Sequence, residues 1–384
     1  MINGRAARIL SAVTVSDSVI FFYGMPSFLS ARGFEVSISA ADGPELDTIL
    51  ARENPIVYRV EMEREINLIK DVLSLLKVLK VLRQFKPDIV NAGTPKAGLL
   101  YMIGAWFFRV PFRVYHVRGL RHESLDGLAE KLQIYVERIC GRLATHIVCE
   151  TQSLKELALA QGLYRASKIY VLGPGSSGVQ LGNYNPENFS PAFRMAFRND
   201  LGIPVDAEVI GFLGRVVPRK GIAELLDAWR NIREEYPKSY LIIAGPLEET
   251  QPLKIEDVEL IQKDSRIIFT GKVEDAAKYY SVMDIFTLPA HWEGFGNVLV
   301  EAASMGLPVV TTNGTGTRDA VKDGYNSLVI PVKDSAALVV AISKYLDDKA
   351  LRLEHGRNGR EWASRFERKV ILRHLSEFYE NLLR

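Results

Sequence analysis

The chain has 384 residues, 47% hydrophobic and 24% charged, with a formal net charge of +2. That composition belongs to an ordinary globular protein, long enough for two domains that each bury a core. The near-zero net charge gives no overall case for a nucleic-acid partner. The two cysteines, Cys140 and Cys149, form no C-x-x-C pair and have no histidine cluster beside them, which argues against a disulfide framework or a zinc site.

In chain order, residues 8–15 read as a strand, with no signal-peptide pattern. Further strands are predicted at 34–40, 88–91, 113–117, 145–149 and 168–172. Residues 67–85 repeat leucine and valine at helical spacing, with Lys70, Lys77, Lys80 and Arg83 assigned to the polar side. The longest apolar run, 97–108, has twelve residues between Lys96 and Arg109, too few to span a bilayer. The alternation restarts with strands at 208–213, 240–244, 266–270, 284–288, 308–312 and 327–330. Helices are expected at 221–235, 296–304 and 336–346. Strand–helix alternation of this kind builds a parallel sheet covered on both faces. Two runs of it predict an α/β chain of two Rossmann-like domains, 1–185 and 186–365, divided near the Gly, Asn and Pro of 182–191. An amphipathic segment, 366–384, is free in sequence terms to return to the first domain.

Ligands of such sheets bind beyond the carboxyl ends of the strands. After the 208–213 strand comes Gly214-Arg215-Val216-Val217-Pro218-Arg219-Lys220-Gly221. Gly214 permits a tight exit, and Arg215 and Lys220 set two cations beside a helix start, where a diphosphate is favoured. The alternative is a solvated basic loop, and the string is not a Walker P-loop. The second motif is Glu293-Gly294-Phe295-Gly296-Asn297-Val298-Leu299-Val300-Glu301. Asn297 and Glu301 are four apart, on one helix face. Gly294 and Gly296 leave backbone open to a ligand. An ionised carboxylate accepts from two vicinal hydroxyls, as a ribose or a sugar ring presents them. Spacing alone leaves open that Glu293 caps the helix and Glu301 is a solvated charge.

Taken together, these motifs resemble the donor-binding half of retaining GT-B glycosyltransferases of family 4 (group 1). Gly271, Pro289 and the strings Gly306-Leu307-Pro308-Val309-Val310 and Asp323-Gly324 extend the resemblance over most of 205–350. The first half is similar to the capsular-polysaccharide subgroup through 93–100, Val117-Arg118-Gly119-Leu120-Arg121 and 172–179. The resemblance implies a GT-B fold whose two domains face a central cleft. It implies that Arg215 and Lys220 hold the diphosphate of a UDP-sugar, Glu301 its ribose and Glu293 the transferred sugar, with backbone near Phe295–Asn297 and Gly271 completing the donor site. It also implies a lipid-diphosphate saccharide as acceptor, commonly with an N-acetylated donor sugar. Arg118 stands where relatives place a histidine and is assigned to the acceptor or donor-sugar side with Ser16 and Lys96; His116 is assigned to strand packing. Ser16-Asp17-Ser18 replaces the usual Gly-Gly loop.

No metal or other cofactor is expected, because no Asp-x-Asp occurs and the two cations supply the countercharge. Gly173-Pro174-Gly175-Ser176-Ser177-Gly178 fits G-x-G-x-x-G but precedes no helix pattern, and reads as an interdomain loop. From 64 to 118 there are ten Lys or Arg against three Asp or Glu, and Trp106, Phe107 and Phe108 suit an interfacial zone. This predicts a peripheral protein docked on the anionic inner face of the cytoplasmic membrane. Rival readings are a UDP-sugar epimerase of the same architecture and a catalytically silent UDP-binding subunit.

Overall fold

The computed structural model describes residues 5–63, 67–248 and 251–384. Arg64, which opens the basic segment, lies outside them. The chain forms two compact units, 1–177 with 368–384, and 178–367.

In the first unit the elements run β1 (Ala7–Ala12), α1 (Met25–Ser30), β2 (Phe34–Ala40), α2 (Pro44–Glu53), β3 (Ile56–Arg59), α3 (Leu68–Phe85), β4 (Ile89–Gly93), α4 (Pro95–Phe107), β5 (Phe112–Val117), α5 (Gly127–Leu143), β6 (His146–Cys149), α6 (Gln152–Ala160) and β7 (Ile169–Val171). Its seven strands are parallel in the order β3-β2-β1-β4-β5-β6-β7. The central strands are buried on both faces, so their sequences are almost continuously apolar or small. Edge strand β3, four residues with none buried, is not among the strands expected from sequence.

The second unit runs α7 (Pro191–Asp200), β8 (Glu208–Leu213), α8 (Ile222–Glu235), β9 (Ser239–Ala244), α9 (Ile255–Lys263), β10 (Ile267–Gly271), α10 (Ala276–Tyr280), β11 (Ile285–Leu288), α11 (Asn297–Ser304), β12 (Val309–Thr312), β13 (Ser327–Ile330), α12 (Ser335–Asp347) and α13 (Lys349–Ala363). Its parallel order is β10-β9-β8-β11-β12-β13. A core including Trp229, Phe212 and Phe286 fills it.

Residues 178–185, placed with the first domain by the sequence reading, cluster with the second unit. Val179 N–H donates to the Phe366 carbonyl at 2.8 Å and Leu181 N–H to the Glu367 carboxylate at 3.3 Å. The helix α14 (Arg368–Leu382) belongs to the first unit. Arg368 fixes its start, donating to the carbonyls of Tyr23 (2.9 Å), Phe21 (2.6 Å) and Ser177. Tyr379 lies further along it, its hydroxyl accepting from Asn91 of β4 at 2.5 Å. The glycine-rich 173–178 segment leads into no helix. Ser176 N–H donates to the Glu150 carbonyl at 2.7 Å, and the boundary between units falls just after Ser177.

The 67–85 helix departs from expectation. Its lysines are exposed, but so are Ile69, Val72, Leu73 and Leu76; among its described larger apolar side chains only Val78, Val81, Leu82 and Phe85 are fully buried.

Candidate active site

In the second unit the loop after β8 is set by backbone constraints. Gly214 N–H donates to the Ala244 carbonyl at 2.9 Å and Gly245 N–H to the Gly271 carbonyl at 2.8 Å. Gly214, Gly245 and Gly271 thus join the carboxyl ends of β8, β9 and β10. Gly245 has φ 146°, and a Cβ there would run into the Gly214 carbonyl. The loop closes in a short turn, Pro218–Lys220, and Gly221 (φ 73°) starts α8 against the Pro289 carbonyl.

This geometry aims Lys220 at Glu293. Their side chains form an ion pair, each 12% exposed. Arg219 adds a second cation, 3.8 Å from the same carboxylate, and its guanidinium lies 4.6 Å from the Trp292 ring centre. Arg215, expected to pair with Lys220, instead turns to Glu248 at 3.1 Å and stays half-exposed. Burial pushes the Lys220 ammonium below its usual pKa; Glu293 opposes that fall, and Arg219 and Arg215 deepen it. Lys220 and Arg219 therefore share Glu293 at the strand end, while Arg215 pairs with Glu248 beside them. The sequence reading missed Arg219, although it sits between the residues that were chosen.

The second loop holds Glu293 by its backbone. Glu293 N–H donates to the Thr315 carbonyl at 2.8 Å, and Gly316 (φ 78°) lies where a Cβ would strike the Glu293 carbonyl. His291 N–H donates to the Arg219 carbonyl at 2.8 Å, tying the two loops together. Gly294 follows, partly buried. The Phe295 side chain is core, packed on Phe366 with ring centres 4.9 Å apart. Gly296 in the left-handed region (φ 81°) starts α11 at Asn297. Glu301 is half-buried and accepts from the Tyr280 hydroxyl at 3.0 Å. Burial pushes its carboxyl up to about 7, against the pull of the Tyr280 and Tyr184 hydroxyls. Neither tyrosine carries a motif that sequence spacing reveals.

In the first unit Arg118 follows β5 and pairs with Glu150 and Ser177. Its guanidinium lies 4.3 Å from the Phe21 ring centre. His116, two residues back and so on the same face, brings Nε2 to 3.3 Å from the same Glu150 oxygen. Arg118 and His116 thus converge on one carboxylate and together line a cavity of about 30 Å³ with Arg368. Burial alone would raise the Glu150 carboxyl, but Arg118 and then His116 hold it down at about 2. Ser16 and Lys96 stand elsewhere. The Ser16 hydroxyl accepts from Leu46 N–H at 3.0 Å, at the start of α2, and Lys96 Nζ pairs with Asp71 at 2.6 Å. Both have structural partners that residue type alone does not announce.

Comparison with known proteins agrees over the whole chain. Residues 193–362 match the family model "Glycosyl transferases group 1", and residues 27–175 match "Glycosyl transferase 4-like domain". The "Capsular polysaccharide biosynthesis glycosyltransferase CapM" of Staphylococcus aureus is 34% identical over 98% of both chains. An Escherichia coli "UDP-Gal:alpha-D-GlcNAc-diphosphoundecaprenol alpha-1,3-galactosyltransferase" is 30% identical over 76% of this chain and 74% of the relative. The structure of Anabaena Alr3699/HepE, solved in complex with UDP and glucose, superimposes with a TM-score of 0.81 at 20% identity. It covers 98% of this chain and 100% of that one, which shows a shared fold. The chain belongs to the group 1, family 4 glycosyltransferases of GT-B fold, in their capsular-polysaccharide type.

Proposed function

We infer that the protein transfers a sugar, an N-acetylated hexosamine by its subgroup, from a UDP-sugar to an undecaprenyl-diphosphate-linked saccharide. The reaction retains anomeric configuration and needs no metal. It serves capsule, O-antigen or exopolysaccharide assembly at the inner face of the cytoplasmic membrane. The observation that carries the reading is the Lys220–Glu293 pair with Arg219 beside it and Arg215 near. Fixed cations at a strand end neutralise a diphosphate whose charge grows as its bond to the sugar breaks. Glu293 accepts hydroxyls of the sugar, and Glu301 those of the ribose. The bond from the anomeric carbon to UDP breaks, and the acceptor oxygen bonds to that carbon on the same face. The acceptor proton passes to a leaving phosphate oxygen. Trapping a glycosyl-enzyme adduct would overturn this front-face step.

The name of the E. coli relative gives a UDP-sugar donor and a lipid-diphosphate acceptor, and that supports both classes here. The experiment is UDP release from a panel of UDP-sugars in EDTA, with and without bacterial lipid extract, for wild type and Glu293→Ala. Release that requires lipid, survives EDTA and is lost in the variant is the expected result. Tight UDP binding with no release would point to a silent subunit, and altered donor without acceptor would point to an epimerase.

A further inference from the structure

Helices α3 and α5 each pack against α4. Both are crossovers between parallel strands, so each begins at the carboxyl ends of the strands and runs to the amino ends. Apart from Lys70, which pairs with Glu63, and Lys131, their exposed side chains follow one order. On α3, Ile69 (77% exposed), Val72, Leu73 and Leu76 come first; on α5, Leu128 (83% exposed), Leu132 and Tyr135 come first. Cations dominate after them: Lys77, Lys80 and Arg83 on α3, Arg138 and Arg142 on α5. Neither helix exposes an acidic residue beyond its intermediate Asp71 and Glu130, and Asp71 is paired with Lys96.

Each apolar stretch spans seven residues of rise, about 10 Å. That is the depth an interfacial helix reaches into the boundary between headgroups and acyl chains, about 5–10 Å. The cations begin where the headgroup phosphates would lie. Two separate helices carrying the same apolar-then-cationic gradient in the same direction fit a flat, layered, anionic surface. We propose that the first turns of α3 and α5 dip together into an anionic leaflet, so that the first unit stands with the carboxyl edge of its sheet toward the lipid. This rests on the lipid-acceptor reading and gives it a direction: Gly93 and Arg118, at the ends of β4 and β5, come nearest the bilayer. Trp106, Phe107 and Phe108 close α4 at the opposite end of the sheet. In the proposed orientation they stand away from the leaflet, whereas the sequence expectation gives them the docking role.

The test is flotation of the full chain with phosphatidylcholine vesicles, with and without phosphatidylglycerol. The variants are Leu73→Glu/Leu76→Glu, Leu128→Glu/Leu132→Glu and Trp106→Ser/Phe107→Ser. UDP affinity and the melting transition report folding independently of any transfer reaction. The α3 and α5 pairs are expected to weaken binding to the anionic vesicles by at least ~10-fold each, while the Trp106 pair binds like wild type. Wild-type binding unchanged in both glutamate pairs, or a loss confined to the Trp106 pair, would overturn the orientation. A wild-type dimer that binds no vesicles and dissociates in the α3 pair would assign the face to a second copy. If vesicle binding behaves as expected and UDP release never requires lipid, the acceptor reading fails and the docking face stands.

Discussion

Lys220 rests on Glu293, although the two leave different strands of the second sheet, β8 and β11. The pair is largely shielded, so each charge leans on the other, and the diphosphate proposed to bind at Lys220 must share it with the carboxylate. Removing either partner therefore has distinguishable consequences. Glu293→Gln keeps the cations and the hydrogen-bonding shape. It is expected to cut transfer about 100- to 1000-fold while leaving UDP affinity within about threefold, since the contact assigned to Glu293 is with the sugar. Lys220→Ala is expected to lose both. Calorimetric UDP titration beside a UDP-release assay separates them, and equal losses of UDP affinity in both variants would remove Glu293 from the sugar.

Glu150 predicts a pH dependence of the first unit. Its folded carboxyl sits near 2, below the ordinary 4.5, because Arg118 and His116 outweigh burial. A depressed folded value means the stability it contributes is complete above about 4.5 and is lost as pH falls toward 2. Glu150→Gln leaves Arg118 buried without its counter-ion, a loss of ~3–5 kcal/mol for a buried pair broken on one side. The variant's melting temperature should lie well below wild type at pH 7, and the gap should narrow toward pH 3. A constant gap would show that Glu150 acts through packing and not charge.

Gly245 tests the backbone that carries the donor loop. Its φ of 146° and the Gly214 carbonyl at the place of its missing Cβ exclude any side chain. Gly245→Ala is expected to destabilise the second unit by more than ~1 kcal/mol and to weaken UDP binding, because the β8 exit must move. A variant that melts and binds as wild type would show that β9 can yield there without disturbing Lys220.

The fold was legible because buried parallel strands write themselves as short apolar runs between helical repeats. Twelve of the thirteen described strands were placed from such runs; β3, Ile56-Val57-Tyr58-Arg59, is a short edge with none of its residues buried and was not. The Lys220–Glu293 pair joins the two strings that motif order singled out, and Glu301 lies on the helix that the second string opens. What the sequence hid was partnership. Arg219 and Arg215 are equally basic and four residues apart, and only the turn at Pro218–Lys220 decides which faces Glu293. Glu150 is separated from Arg118 by a whole helix, α5, and nothing local marks them as a pair. The exposed apolar stripe of α3 reads as core in sequence because periodicity reports a face and not what covers it.

Glu301 offers the sharpest functional titration. Burial lifts its carboxyl to about 7 against the Tyr280 and Tyr184 hydroxyls. In its proposed role as ribose acceptor it serves in its ionised form, which dominates above that value and falls to roughly a tenth one unit below it. Nucleotide affinity should therefore weaken as pH drops from 8 to 6, by up to ~10-fold relative to Glu301→Gln. That variant binds more weakly at pH 8 but lacks the titration, so the ratio of the two dissociation constants cancels the ionisation of the nucleotide itself. Tyr280→Phe removes a hydroxyl that donates to the ionised carboxylate at 3.0 Å. Its loss should shift the midpoint of the ratio to higher pH. A ratio flat from pH 6 to 8 would mean that Glu301 stays in one protonation state, and its role would then be to position Tyr280 and not to hold the ribose.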